Sequence, residues 1–231
     1  MATILESAPA PGDTELVDGE VVVYLQRPTL DPEVLARDAL LLDDTERARA
    51  ARFHFDEDRA TYVTAHALRR RALSRHGAGP AGAIRFRTGP HGRPELEDAS
   101  FRLNFSLSHT RGIAACALSR GAALGVDVEH CRQRSYPELA AACLTKEELL
   151  AWRSLPEQER EDRFVLIWTL KEAYVKALGL GLSMPVQSFA VRVLAGGTAV
   201  LESAPDQTVS DWRFEWQRIE DHYLSIAVRR H

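Results

Sequence analysis

Near Gly179 the hydrophobic period of the chain changes, and that change limits the folds open to it. Roughly Glu159–Leu178 reads as one long helix that stops at Gly179, a residue suited to the left-handed position after a helix. Beyond it the apolar residues alternate: Phe189, Val191 and Val193, then Trp212, Phe214 and Trp216, then Leu224, Ile226 and Val228. A period of two means strands with one buried face. The first half carries the same mixture. Glu20–Leu25 is a β-rich run between Gly19 and Pro28. Leu30–Leu42 and Asp43–Phe53 read as helices, and Asp58–His76 as a longer one with Ala65, Leu68 and Ala72 on one stripe, ending at Gly77. Gly89–Pro94 is a turn-rich loop, and residues 1–18 read as a flexible tail. Ile113–Leu118 and Leu124–Val128 read as short buried strands joined through Arg120–Gly121, and Tyr136–Cys143 and Thr145–Ser154 as helices. Helices and antiparallel-looking strands in both halves predict an α+β fold. No internal repeat is legible in the residues.

The 231 residues suffice for one large domain or two small ones. A net charge of −4 gives no basic field for nucleic acid. Cys116, Cys131 and Cys143 are scattered, with neither a CxxC pair nor zinc spacing, as suits a reducing compartment. Met1–Thr14 lacks the basic and apolar regions of a signal peptide, and no apolar run reaches membrane-spanning length. The expectation is a cytoplasmic protein with neither nucleic-acid nor membrane partners.

Four short stretches carry chemistry. In Gly125-Val-Asp-Val-Glu129, Asp127 and Glu129 share one strand face while Val126 and Val128 take the other. Carboxylates so close repel unless a positive charge lies between them, and a hard divalent cation would answer that; a solvated strand with two unrelated acids is the alternative. In Trp168-Thr-Leu-Lys171-Glu172-Ala-Tyr-Val-Lys176, Trp168, Glu172 and Lys176 lie on one helical face. They could serve a metal and a phosphate, or form a surface ion pair only. In Asn104-Phe-Ser-Leu-Ser108-His109-Thr110, a histidine at a strand end suits a phosphate contact or an ordinary satisfied histidine. Gly92-Arg93-Pro94 is a rigid turn presenting one guanidinium, which surface arginines also do.

The four stretches occur in the order GRP, NFSLSHT, GVDVE, WTLKEAYVK, followed by Gly179-Leu-Gly181-Leu-Ser183. Together they resemble the Sfp-type 4′-phosphopantetheinyl transferases over roughly Arg47 to Pro185. The resemblance implies a pseudo-dimer of two similar α/β halves with the active site in the cleft between them. It divides the chain into 19–119, carrying the coenzyme A nucleotide contacts, and 120–231, carrying the metal site. Asp127, Glu129 and Glu172 would bind Mg²⁺. Lys176, His109 and Ser108 would contact the coenzyme A phosphates, and Arg93 the nucleotide end. Arg49 would hold the 3′-phosphate, with Arg47 and Arg52 as neighbours for the same task. Glu148 matches a position proposed as general base in some relatives, although Thr145-x-x-Glu148 is also a capping box before a helix.

The reaction implied is attack by a serine of an apo acyl or peptidyl carrier protein on the β-phosphate of coenzyme A, with 3′,5′-ADP leaving. A carboxylate, Glu172 or Glu148, would take the serine proton. The nucleophile belongs to the partner, so Ser106 and Ser108 are read as structural hydroxyls. The retained acid at Glu129 points to broad acceptance and to polyketide or nonribosomal-peptide carriers, and the expected state is a monomer. A coenzyme A or carrier binder that has lost catalysis is the rival reading. Asp127, Glu129, Glu172 and Lys176 all being present argues against it.

Overall fold

A computed structural model describes residues 2–6, 16–131, 137–205 and 207–230. The chain forms two compact units, Met1–Ala122 and Ala123–His231. The sequence expectation placed the division between 119 and 120.

The first unit runs β1 (Thr3–Glu6), β2 (Val21–Gln26), α1 (Pro32–Ala39), α2 (Asp44–Ala50), α3 (Asp56–Arg75), the hairpin β3 (Phe86–Thr88) and β4 (Pro94–Leu96), then β5 (Leu103–Thr110) and β6 (Ile113–Arg120). Its main sheet has the order β1-β2-β6-β5, antiparallel except for β1 on β2. Helix starts have local causes. The Asp31 carboxylate accepts from the Glu33 and Val34 amides, with Pro32 in the first turn. Asp43 and Glu46 close a capping box at α2. Two expectations change here. Residues 1–18 are not a tail throughout, because Thr3–Glu6 adds a parallel strand and Leu16 is buried; residues 7–15 lie outside the described residues. The Gly89–Pro94 loop is the tip of a hairpin, turned at Gly92, whose φ is +82°.

The second unit runs β7 (Leu124–His130), α4 (Pro137–Cys143), α5 (Lys146–Ser154), α6 (Glu157–Leu178), β8 (Ala190–Val193), β9 (Thr198–Ser203), β10 (Trp212–Ile219) and β11 (His222–Arg229). Its sheet has the order β7-β11-β10-β9-β8, antiparallel throughout. Tyr136, expected to open α4, lies outside the described residues. Gly179 closes α6 with φ +71°. Strand β11 departs from the one-faced pattern: Tyr223, Ser225 and Ala227 are buried as well as Leu224, Ile226 and Val228, because it lies inside the sheet with α6 across one face.

A repeat that the residues hide is plain in the topology. In each unit a first strand, three helices and a final hairpin follow one path: β2–α1–α2–α3–β5–β6 and β7–α4–α5–α6–β10–β11. In each the first strand pairs antiparallel with the last. Tyr24 faces Cys116 across the first pairing as Asp127 faces Ser225 across the second. The cores match too. Helix α3 packs Ala65, Leu68 and Ala72 with Tyr24, Phe105 and Cys116, and α6 packs Leu170, Ala173 and Tyr174 with Phe189, Trp212 and Phe214.

Candidate active site

In the second unit the site begins with a close approach of backbones. A Cβ on Gly125 would lie 2.0 Å from the Ala173 carbonyl oxygen and 2.5 Å from the Ala177 nitrogen, so β7 and α6 touch where only glycine fits. That contact turns one face of β7, with Asp127 and Glu129, toward α6. Val126 and Val128, on the opposite face, are buried.

Asp127 is only 3% exposed, and Lys176 of α6 reaches it, with Nζ 2.6 Å from Oδ1. The lysine charge therefore goes to a buried strand carboxylate, which a mere surface pair would not provide. Glu129 accepts one long hydrogen bond from the Trp168 indole, Nε1 to Oε1, at 3.4 Å. Burial and then the negative charge of Asp127 push the Glu129 carboxyl up to about 7, against the pull of Trp168 and Lys176. Glu172 is raised by the same two causes in the same order, with Lys176 opposing. Three carboxylates thus share one electrostatic environment and have more negative charge than Lys176 balances.

This all-oxygen, anionic donor set suits a hard divalent cation such as Mg²⁺. Among the described residues, no three His, Cys, Asp or Glu side chains already converge on one ion position. Lys176 supplies the positive charge that Asp127 receives.

Glu148 is engaged differently from the base role expected of it. One oxygen accepts from the Val191 amide at 2.9 Å; the other accepts from the Thr145 amide at 2.8 Å and lies 2.7 Å from Lys171 Nζ. The carboxylate is 7% exposed, and its lone pairs are held by structural donors. The capping-box reading is the one the geometry supports. Lys171, whose side chain is fully buried, also donates to the Val186 and Phe189 carbonyls, each at 2.8 Å. No role for Lys171 was expected from sequence. The signal was there: it follows Ile167 by one turn on a buried stripe of α6, where a charge requires a partner.

In the first unit, Tyr62 of α3 gathers two of the expected basic residues. The Arg49 guanidinium lies 5.6 Å from its ring centroid, and the His109 ring, at the end of β5, meets it edge-on at 6.4 Å. His66 stacks on the same ring at 4.0 Å. Nothing in the local sequence separates Tyr62 from an ordinary core aromatic, and its side chain is indeed buried. Arg47 donates to the Leu42 carbonyl and pairs with Asp44 at 2.6 Å, which ties it to its own helix start. Arg52 is exposed just beyond α2. Arg93, at the hairpin tip, donates to the Phe105 carbonyl at 3.0 Å, and burial lowers its pKa against the pull of Glu95. Ser106 and Ser108 are both buried.

The second unit thus carries a strand–helix acid cluster, and the first carries basic residues around Tyr62. The profile described as "4'-phosphopantetheinyl transferase superfamily" matches residues 123–227, and that of "4'-phosphopantetheinyl transferase, N-terminal" matches residues 30–120. The chain is 34% identical over 202 residues to the 4'-phosphopantetheinyl transferase HetI of Nostoc sp. (strain PCC 7120), covering 85% of this chain and 84% of that protein. It is 30% identical over 183 residues to the 4'-phosphopantetheinyl transferase Sfp of Bacillus subtilis (strain 168), covering 78% and 79%. The chain belongs to the 4′-phosphopantetheinyl transferase superfamily.

Proposed function

We propose that the chain moves the 4′-phosphopantetheine arm of coenzyme A onto a serine of an apo carrier protein in a Mg²⁺-dependent reaction. The serine oxygen bonds to the β-phosphorus, the bond from that phosphorus to the leaving 3′,5′-ADP breaks, and the serine proton passes to a carboxylate. The observation that carries this reading is the meeting of Glu129, Glu172 and Lys176 around the buried Asp127. The relatives' names support the substrate class.

Asp127, Glu129 and Glu172 would hold the Mg²⁺, which when bound supplies positive charge to the pyrophosphate oxygens. Lys176, with its flexible stem, donates to the same oxygens as charge builds on them. Glu172, whose pKa burial and Asp127 raise, is suited to take the serine proton, directly or through one water. His109, Ser108 and Arg93 bind phosphates and the nucleotide end. Arg49 grips the 3′-phosphate, with Arg52 and Arg47 beside it on the same short helix and its end. Positioning and charge supply most of the catalysis, because phosphoryl transfer asks little covalent chemistry of the protein.

We place the protein as a cytoplasmic monomer acting on carriers of polyketide or nonribosomal-peptide assembly. No helix among the described residues is long and apolar enough to cross a membrane. Incubation with coenzyme A, Mg²⁺ and an apo carrier tests the activity: the carrier gains the mass of one phosphopantetheine. An unchanged carrier across a panel of fatty-acid, polyketide and peptide carriers overturns the reading.

A further inference from the structure

Two residues of the second unit, Glu148 and Lys171, form a buried pair next to the acid cluster without belonging to it. Lys171 Nζ contacts three oxygens: one from Glu148 and the carbonyls of Val186 and Phe189, in the segment that follows α6. Glu148 in turn ties the start of α5, through Thr145, to the first part of β8, through Val191. One ammonium and one carboxylate thus fix α5, α6 and the chain entering β8 against one another. Lys171 immediately precedes Glu172 on α6. With its ammonium held from three sides, the helix cannot turn about its axis without leaving a buried charge unpaired, which is costly. The Gly125 contact with Ala173 and Ala177 fixes the same helix turns from the strand side.

The first unit repeats the device. Glu46 closes the capping box of α2 as Glu148 does that of α5. It pairs with Arg70, a fully buried base on the long helix α3, at 2.7 Å. Arg70 donates to the Ile84 carbonyl at 2.8 Å and the Ala81 carbonyl at 3.3 Å, in the segment that follows α3. The same three-way tie therefore stands in a unit where Arg71, not a glutamate, follows the buried cation of the long helix. A carboxylate present in both copies at the same station of the fold is explained by the fold.

We propose that Glu148 and Lys171 are positioning residues, a latch that sets the rotation of α6 so that Glu172 and Lys176 face Asp127, and that Glu148 takes no proton from the carrier serine. This rests on the transferase reading above. The charge of Glu148 serves to pair Lys171, so removing both charges together should undo most of the harm of removing one.

The test compares Glu148→Gln, Lys171→Met and the double variant, by thermal melting and by transfer of phosphopantetheine to a carrier that the parent protein modifies. Each single variant should lower the melting temperature by about 10 °C, as expected for breaking one buried pair, and lose turnover. The double variant should recover most of the melting temperature and bring turnover to within about fivefold of the parent, since replacing a buried ion pair by uncharged side chains of similar size leaves no unpaired buried charge. A double variant that melts like the parent yet transfers no faster than Glu148→Gln overturns the latch, because a missing base is not restored by deleting a lysine. The pH profile of Glu148→Gln, taken below its melting temperature, decides the matter should the double variant not fold. The latch keeps the acidic limb of kcat/KM; loss of that limb overturns it. A parent protein that modifies no carrier breaks the functional reading alone, since the coupling in melting temperature between the two substitutions still reads the latch.

Discussion

The two units share a path and differ in the charge that the first strand offers the long helix. Counted from the buried bases Arg70 and Lys171, the next residue is Arg71 in one unit and Glu172 in the other, and the fifth residue on is Arg75 against Lys176. On the strand, Tyr24 stands where the other unit has Asp127. Tyr24 gives its hydroxyl to a buried partnership with His76, 2.9 Å from Nε2, whereas Asp127 meets Lys176 at 2.6 Å. The frame of each unit comes from its latch and core. Its chemistry comes from a few side chains between strand and helix.

Two glutamates, Glu46 buried and Glu129 half-buried, make the contrast quantitative. Burial pushes both carboxyls up. For Glu46 the hydrogen bond of His66, the Asp43 amide, and the charges of Arg69 and Arg70 outweigh it and hold the carboxyl at about 2. For Glu129 the neighbouring Asp127 adds to burial, and the carboxyl rises to about 7. Donors surround the first, so it is structural; the second is short of donors and open to an added cation.

The largest expected effect is at the paired strand positions. Asp127→Ala should lower turnover roughly 10³-fold, the scale of losing a central electrostatic group, while Tyr24→Phe leaves turnover within about twofold. Steady-state kinetics at saturating coenzyme A checks both, and equal losses at the two positions would break the contrast between the units. Next comes Lys176→Ala, expected to lower turnover about 10²-fold with little change in melting temperature; Lys176→Arg should recover part, since a guanidinium does not fill an ammonium's place. Full activity in Lys176→Ala would reduce its contact with Asp127 to a structural ion pair. Gly125→Ala should destabilise the second unit by about 3 kcal/mol in urea unfolding, because its Cβ meets backbone that cannot retreat.

The glutamates predict opposite responses to pH. Glu46 has a depressed pKa in the folded state, so its contribution is present above the unfolded value near 4.5 and is lost as pH falls toward about 2. That contribution is about 3 kcal/mol, and Glu46→Gln should flatten the acid limb of the stability curve. Glu129 has a raised pKa, so the folded state holds its proton longer and metal-free stability declines as pH rises from about 4.5 to about 7. Glu129→Gln should remove that decline, and added Mg²⁺ should raise the melting temperature more at pH 8 than at pH 5. A parent protein whose metal-free stability is flat across that window would sink the assignment. The smallest effect is at Arg49, where Ala should raise KM for coenzyme A about tenfold with turnover nearly kept. The rise should be smaller for 3′-dephospho-coenzyme A, and equal penalties on the two substrates would remove Arg49 from the 3′-phosphate.

The sequence by itself determined the longer helices, most of the strands and the acid face, but not β1, the β3–β4 hairpin or β9. A period of two in GVDVE puts Asp127 and Glu129 on one side of any strand, and a helical period puts Trp168, Glu172 and Lys176 on one side of any helix. Capping boxes and the closing Gly179 were equally local, since hydrogen bonds within a few residues define them. Tertiary structure alone decided which faces meet. It brought Lys176 to Asp127, 49 residues away, and Trp168 to Glu129. It also showed why Gly125 stands where it does, through a helix backbone at van der Waals limits. Glu148 is the sharpest case. Its capping box was legible, but its partner Lys171 and the carbonyls that partner holds come from segments far along the chain. A carboxylate that can act as a base and one locked to a buried lysine have the same local sequence, and what separates them is which donors the folded chain places on its oxygens.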